Sequence, residues 1–228
     1  MEGTNNQVAA IQKEFGAKIA EKAFQCGAIK LSPEKPFTWA SGYKMPIYND
    51  NRRLLAFPEM RKTICDAFSA MTQAVDFTPD WIAGVATGGI PHGTTLADAL
   101  ELPFAYIRSE SKDHGLKNQI EGLGADANFG EKNVLVIEDL ISTGGSSIKA
   151  IQAVRAAHAA APYCFAIFSY GLDKAVAAFA GLSPMCTPIS ILNYDIMLET
   201  ALVKGFITEK YLETLREWRK DPFNWWKE

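Results

Sequence analysis

Val134-Leu135-Val136-Ile137-Glu138-Asp139-Leu140-Ile141-Ser142-Thr143-Gly144-Gly145-Ser146-Ser147 is the stretch whose reading decides the fold. Val134 to Ile137 are apolar and mostly β-branched, the pattern of a strand buried on both faces. An acidic pair and two more apolar residues follow, and then a run of small residues rich in hydroxyls and glycine. Ile148, Ile151 and Val154 recur at helical spacing, so a helix starts near Ser146 or Ser147, either of which can cap it. A strand, a glycine turn and a helix N-terminus gather backbone N–H groups and a positive dipole end around one point, which is how a phosphate is bound. Gly144 and Gly145 let the backbone approach the anion. The hydroxyls of Ser142, Thr143, Ser146 and Ser147 can add hydrogen bonds. The turn lacks the lysine of a GxxxxGK[ST] loop and is not GxGxxG.

Glu138 and Asp139 do not belong in a site for phosphate alone, because carboxylates repel the anion. They suit a ligand with vicinal hydroxyls, a bound metal ion, or a cation that forms during reaction. A ribose 5-phosphate unit meets the first condition and a ribosyl oxocarbenium ion the last.

Outward from this stretch, strands alternate with helices. A helix is expected at about 58 to 74, with Met60, Ile64, Phe68 and Met71 facing a core. A strand at Trp81 to Ala86 ends in Thr87-Gly88-Gly89, and a helix runs from Pro91 to Leu100. Phe104 to Ile107 reads as a strand, and Ser109 to Lys132 as a polar, glycine-dotted segment without regular structure, the kind usually functional or disordered. Beyond the central strand come a helix at about 146 to 160, a strand at Tyr163 to Ser169, a helix at 174 to 180 and a strand near 185 to 191. Helices at 195 to 203 and 208 to 219 and an aromatic tail that packs on the domain or a partner subunit close the chain. This alternation implies an α/β fold, a parallel sheet with helices on both faces and ligands at the carboxyl ends of the strands. Residues 6 to 26 read as an amphipathic helix, followed by turn-rich chain with short strands at Phe37–Trp39 and Ile47–Asn49. The expected organisation is a helix and hood at 1–50, an α/β core at 51–205, and a C-terminal helix and tail at 206–228.

The 228 residues suffice for one sizeable core, and 48% hydrophobic with 21% charged residues is ordinary for a globular protein. A net charge of −3 without a basic arm argues against nucleic-acid binding. Cys26, Cys65, Cys164 and Cys186 form no CxxC or Cys/His cluster, which suits reduced packing residues of a cytoplasmic protein. No signal peptide is evident, and no apolar run reaches the roughly 18 residues of a membrane span.

The wording of residues 134–147 resembles the phosphoribosyl pyrophosphate (PRPP) signature of the type I phosphoribosyltransferases. Arg108-Ser109-Glu110-Ser111-Lys112-Asp113-His114-Gly115 resembles the R-x-x-x-K-D-H-G lid of the orotate phosphoribosyltransferases. Ser41-Gly42-Tyr43-Lys44-Met45-Pro46-Ile47-Tyr48 is similar to their N-terminal segment. The resemblance spans about residues 6 to 205. It implies a type I phosphoribosyltransferase-like sheet flanked by helices with a small N-terminal hood, and transfer of the phosphoribosyl group of PRPP to orotate. It also implies PRPP binding by Glu138, Asp139, Leu140, Ile141, Ser142, Thr143, Gly144, Gly145 and Ser146, with Arg108, Lys112 and His114 from the lid side. A homodimer is implied, with each lid reaching over its neighbour's site, and Ser142 near both ligands.

Displacement at an anomeric carbon passes through an oxocarbenium-like state. Glu138 and Asp139 would favour positive charge on the ribose and grip its 2- and 3-hydroxyls. Arg108, Lys112 and His114 would meet the departing pyrophosphate, and Mg²⁺ bridging pyrophosphate and ribose oxygens would do the same. Lys112, His114 and Asp139 are the catalytic candidates. No residue is assigned as a metal ligand. Lys112 to His114 lie in a segment able to close and exclude water; the alternative is a solvated surface loop. Thr87-Gly88-Gly89 is either a pyrophosphate loop or a plain strand-to-helix turn. Tyr48 either stacks on a flat heterocycle or packs, and Lys44 either meets an anion or stays on the surface. Lys174 takes the place of an arginine that meets the orotate carboxylate, at a loss of bidentate geometry. His92 and His158 are expected at surface or packing positions. Ser109, Gly88 and Ala40 stand where family members carry lysines. Transfer to another base, and a PRPP-sensing regulator on the same fold, are the competing readings.

Overall fold

The computed structural model describes residues 2–39, 42–109, 119–124 and 126–226. In chain order the elements are α1 (Glu2–Ile11), a π-helical turn (Gln12–Gly16), α2 (Ala17–Gln25), β1 (Ile29–Leu31), β2 (Phe37–Thr38), β3 (Lys44–Met45) and β4 (Ile47–Asn49). A 3-10 turn (Asn51–Ala56) leads to α3 (Pro58–Ala74), β5 (Trp81–Val85), α4 (Gly89–Leu100), β6 (Phe104–Ile107) and β7 (Ile120–Glu121). Then come β8 (Lys132–Ile141), α5 (Gly145–Ala156), β9 (Ala159–Ser169), α6 (Asp173–Ala180), β10 (Thr187–Asn193), α7 (Tyr194–Val203) and α8 (Glu209–Lys220).

The main sheet has the order β10-β9-β8-β5-β6-β7 and is parallel except for β7, which runs antiparallel to β6. Burial on both faces follows from alternation along β8. Leu135 and Ile137 enter the cluster holding Ile64, Phe68, Leu96 and Met197, whereas Val134 and Val136 enter the one holding Ile151, Val154 and Phe179. Each such fully buried aliphatic or aromatic side chain contributes about 1.5–3 kcal/mol relative to exposure. From β5 the chain crosses through α4 to β6 on one side; from β8 it crosses through α5 to β9 on the other. The carboxyl ends of β5 and β8 therefore flank a topological switch point, where a crevice opens.

The N-terminal helix begins earlier than its periodicity indicates and carries a π-helical turn at Gln12–Gly16. Its inner residues Ile19, Ala20 and Ala23 join the cluster of Phe165 and Ile191. The hood consists of two antiparallel pairs, β1 with β4 and β2 with β3. It is tied down by Trp39 Nε1, which donates to the Ile47 carbonyl (2.9 Å), and by Met45, whose sulfur accepts from Trp218 Nε1 of α8 (3.3 Å). Of the tail aromatics, Phe223 meets the Tyr43 ring at 5.0 Å and Trp225 packs on the core.

Two boundaries differ from the sequence reading for a common reason. The strand expected at Val134–Ile137 continues to Ile141, because β9 pairs alongside it as far as Ser169. The helix expected to reach about residue 160 ends at Ala156, and Ala159 and Ala160 are strand, paired with Lys132 and Asn133. Alanine's helical preference yields there to the open edge of β8. Within the segment expected to lack structure, Ile120–Glu121 forms β7 against the edge strand.

Candidate active site

A cavity of about 600 Å³ opens at the switch point. Its walls come from the ends of β5 (Val85, Ala86), β6 (Arg108, Ser109) and β8 (Glu138, Asp139, Leu140), and from the turn and first helical residues Ser142 to Ser147. Gly144 takes φ +83°, a left-handed conformation that favours glycine, and α5 begins directly after it at Gly145. Neither Ser146 nor Ser147 caps the helix; no side chain does, so the first-turn N–H groups have no partner within the helix and face the cavity region. That is a seat for an anion made of main chain.

Ser147 has a different task from the phosphate contact its hydroxyl suggested. It is buried, and its Oγ donates to Glu138 Oε2 (3.1 Å). Glu138 also accepts from the Asp139 N–H (3.1 Å). Successive strand residues leave the backbone on opposite sides, and the two acids have different neighbours. Glu138 is only 4% exposed, and burial first, then the charge of Asp139, pushes its carboxyl up to about 8. Asp139 lies against Gly88 of the loop after β5, and its carbonyl accepts from Asn51 Nδ2 (2.7 Å).

The proton on Glu138 has a consequence for stability. Folding raises its pKa from 4.5 to about 8, so the folded chain holds a proton that the unfolded chain has released. This stabilisation is complete below 4.5 and is lost as pH rises toward 8, by at most about 1.4 kcal/mol per pH unit. Buried His92, pulled by desolvation to about 4 from 6.5, acts oppositely: its stability is present above 6.5 and is lost as pH falls toward 4. The window from 6.5 to 8 therefore isolates the glutamate. The thermal midpoint should fall as pH rises through it, and Glu138→Gln should flatten the slope; an unchanged slope would mean the acid is already ionised.

The structure gathers Arg108, Glu138, Asp139, Leu140 and Ser142 to Ser146 around one cavity. Arg108 also approaches Glu121 (3.5 Å), with both groups partly exposed, a weak pair. Several sequence candidates are not in the cavity wall, Thr87, Gly88, Gly89 and Lys44 among them. The Ile141 side chain is buried in the apolar cluster below α5, because the strand still alternates at that point. Tyr48 is exposed on β4 with its ring tilted against Phe37 at 5.9 Å. Lys174, at the start of α6, holds its ammonium over the Phe223 ring at 5.8 Å. Lys112, His114 and Ser41 lie outside the described residues. Lys44 donates to Thr38 Oγ1 (3.0 Å), His92 is buried and His158 is exposed beside Glu131.

Gln119, Lys149 and Asn51 escaped the sequence reading. Gln119 and Lys149 border the cavity, and Gln119 Nε2 donates to the Arg108 carbonyl (2.9 Å). Lys149 was legible as the first cation after the glycine turn. Asn51 carried no local signal, since its partner lies 88 residues away. Arg52, held by Asp50 at 2.6 Å, has its pKa raised chiefly by that acid, with Asp139 and Tyr48 adding.

Comparison with known proteins agrees with this geometry. A family model for the phosphoribosyl transferase domain matches residues 50–168. An orotate phosphoribosyltransferase of Bacteroides fragilis is 47% identical over 214 residues, 93% of this chain and 98% of that protein. One from Listeria monocytogenes is 44% identical over 210 residues, 92% of this chain and 98% of that protein. The crystal structure of orotate phosphoribosyltransferase from Aeropyrum pernix superposes with a TM-score of 0.69 at 25% identity, covering 83% of this chain and 99% of that one.

Proposed function

The chain belongs to the phosphoribosyltransferase family, with orotate phosphoribosyltransferases as relatives along nearly its whole length, and from that premise we infer its reaction. The 5-phosphoribosyl group of PRPP passes to orotate, giving orotidine 5′-phosphate and pyrophosphate, a step of pyrimidine nucleotide synthesis. The observation that carries this reading is the apposition, in one cavity, of an uncapped helix start with two acids at the end of a strand.

In this reading the N–H groups and hydroxyls of Ser142 to Ser146 hold the 5-phosphate, and Asp139 faces the ribose. The bond from C1 to the pyrophosphate oxygen breaks as the orotate nitrogen approaches, so the ring gains positive charge. The Asp139 carboxylate favours that charge, and Arg108 with Lys112 and His114 of the lid favours the negative charge on the leaving group. Glu138, holding its proton to about pH 8, acts as a hydrogen-bonding wall before substrate arrives rather than as a second free anion. Ser142 lies between the two ligands, and Tyr48 and Lys174 belong to the orotate side. Those last two reach the base only with movement of the hood and tail, since neither borders the cavity.

A magnesium ion fits this donor set only in a particular way. Among the described residues no group of three or more His, Cys, Asp or Glu side chains gathers to hold a metal. Asp139 would hold the ion together with oxygens of PRPP. When bound, it supplies neutralisation of the leaving group. The reading extends to a cytoplasmic homodimer whose lids act across the interface.

The test is release of pyrophosphate from PRPP with Mg²⁺ and a panel of bases. Release that depends on orotate is expected. Consumption of a purine but not orotate would move the chain to another branch of the family. Tight, salt-dependent nucleic-acid binding without turnover would make it a regulator.

A further inference from the structure

We propose that Ser147 is a positioning residue: its hydroxyl fixes the Glu138 carboxyl relative to the first turn of α5, so that the phosphate seat and the acid beside it keep one set spacing. The proposal deepens the reading above and rests on a ribose 5-phosphate unit occupying the cavity.

Glu138 continues the face of β8 that carries Val134 and Val136, and those valines pack in the cluster beneath α5. On the helix, Ser147, Ile151 and Val154 share one face, and the two aliphatic residues belong to that same cluster. Ser147 therefore stands over Glu138, and its Oγ donates to Oε2 (3.1 Å). The other carboxyl oxygen, Oε1, accepts the Asp139 N–H (3.1 Å). The carboxyl is thus held at two points, one on its own strand and one on the helix. Both residues border the cavity, although Ser147 is 1% and Glu138 4% exposed.

Nothing in the helix itself requires serine at 147. Alanine is the better helix former, and the hydroxyl caps no first-turn N–H. A hydroxyl has one hydrogen to donate, and here it goes to Glu138.

The consequence follows from the covalent frame of the ligand. In ribose 5-phosphate the phosphorus and the ring hydroxyls are joined through C5. Both ends are recognised together only where the two halves of the site keep a matching separation. The uncapped first turn of α5 meets the phosphate, and β8 brings the acids to the ring. The hydrogen bond from Ser147 to Glu138 joins those two elements within the cavity wall itself. Without it the carboxyl is held only by the N–H of the next residue and is free to turn about its χ angles.

Calorimetry on the full chain with two ligands, ribose 5-phosphate and inorganic phosphate, separates positioning from packing. Ser147→Ala should weaken ribose 5-phosphate about tenfold, the scale of one lost hydrogen bond to a buried carboxyl, and leave inorganic phosphate within about twofold. The kcat/KM for PRPP should fall in parallel, while the KM for orotate stays within about twofold. In a Glu138→Ala background the same change should cost less than about twofold, because the group it positions is gone. Glu138→Met replaces that background if the smaller residue fails to fold. Ser147→Thr, which keeps the hydroxyl, should recover most of the loss; if its extra methyl prevents folding, Ser147→Cys, a weak donor, should fall between serine and alanine. Equal weakening of both ligands would make the bond a brace for the helix alone and overturn the proposal, as would equal losses in both backgrounds. Unchanged ribose 5-phosphate affinity in Ser147→Ala would overturn it while leaving the functional reading in place. A wild-type chain that binds neither ribose 5-phosphate nor PRPP would remove that reading, and the proposal with it.

Discussion

Lys112→Ala is expected to lower kcat by about 100- to 1,000-fold, the scale set by removing one preorganised donor from developing charge, with little change in the thermal midpoint. Pyrophosphate leaves as a concentrated negative charge, and the described cavity wall contributes only Arg108 and Lys149 as cations. Arg108 is partly engaged by Glu121, so under the proposed function the leaving group takes further charge from Lys112. The segment that carries Lys112 springs from a fixed base. The Arg108 N–H donates to the Gln119 carbonyl (2.9 Å), Gln119 Nε2 donates back to the Arg108 carbonyl (2.9 Å), and Tyr106 pairs with Glu121 just below. Both feet thus stand at the cavity rim, within reach of whatever occupies it. Steady-state turnover with a melting curve on the same sample checks the effect, and an unaltered rate removes the lid from the mechanism. Mixing Lys112→Ala chains with chains defective in the 138–147 turn should restore part of the activity if the lid acts across a dimer. Verified heterodimers without recovery would place its action within one chain.

Asp139→Asn should lower kcat/KM for PRPP by about 100-fold, with a smaller effect on orotate affinity. The substitution keeps size and hydrogen-bonding reach but removes the charge that, under the proposed function, offsets the cationic ribose. Of the two acids this one carries the larger effect, because Glu138 is buried, hydrogen-bonded to Ser147 and protonated up to about pH 8. The comparison is initial-rate kinetics with each substrate varied. A larger loss in orotate affinity than in PRPP use would mean that the carboxylate faces the base.

The α/β class, the central strand and the phosphate turn were legible because each depends on local pattern. Four consecutive apolar residues buried on both faces, then glycines, then helical spacing, admit few other readings, and the 58–74 helix and the 104–107 strand match their expected bounds. The site was legible to the extent that it lies within a single stretch: Glu138 to Ser146 are contiguous, and most of them border the cavity. The sequence did not indicate which acid is free and which is buried. With the strand taken to end at Ile137, both carboxylates are expected to face the ribose, whereas pairing with β9 keeps Glu138 within the sheet against Ser147.

The chain's own sequence determined the elements whose stability is local: where a strand is apolar enough to be interior, where glycine must bend the backbone, and where a helix can begin. Only the tertiary structure decided the contacts made across long separations. Asn51 meets the Asp139 carbonyl, and Ala159 and Ala160 become strand against their own helical preference. The physical reason is shared. An unpaired strand edge or a buried carbonyl must find a partner, and which residue answers depends on where distant segments come to rest, a matter on which no single window of sequence carries information.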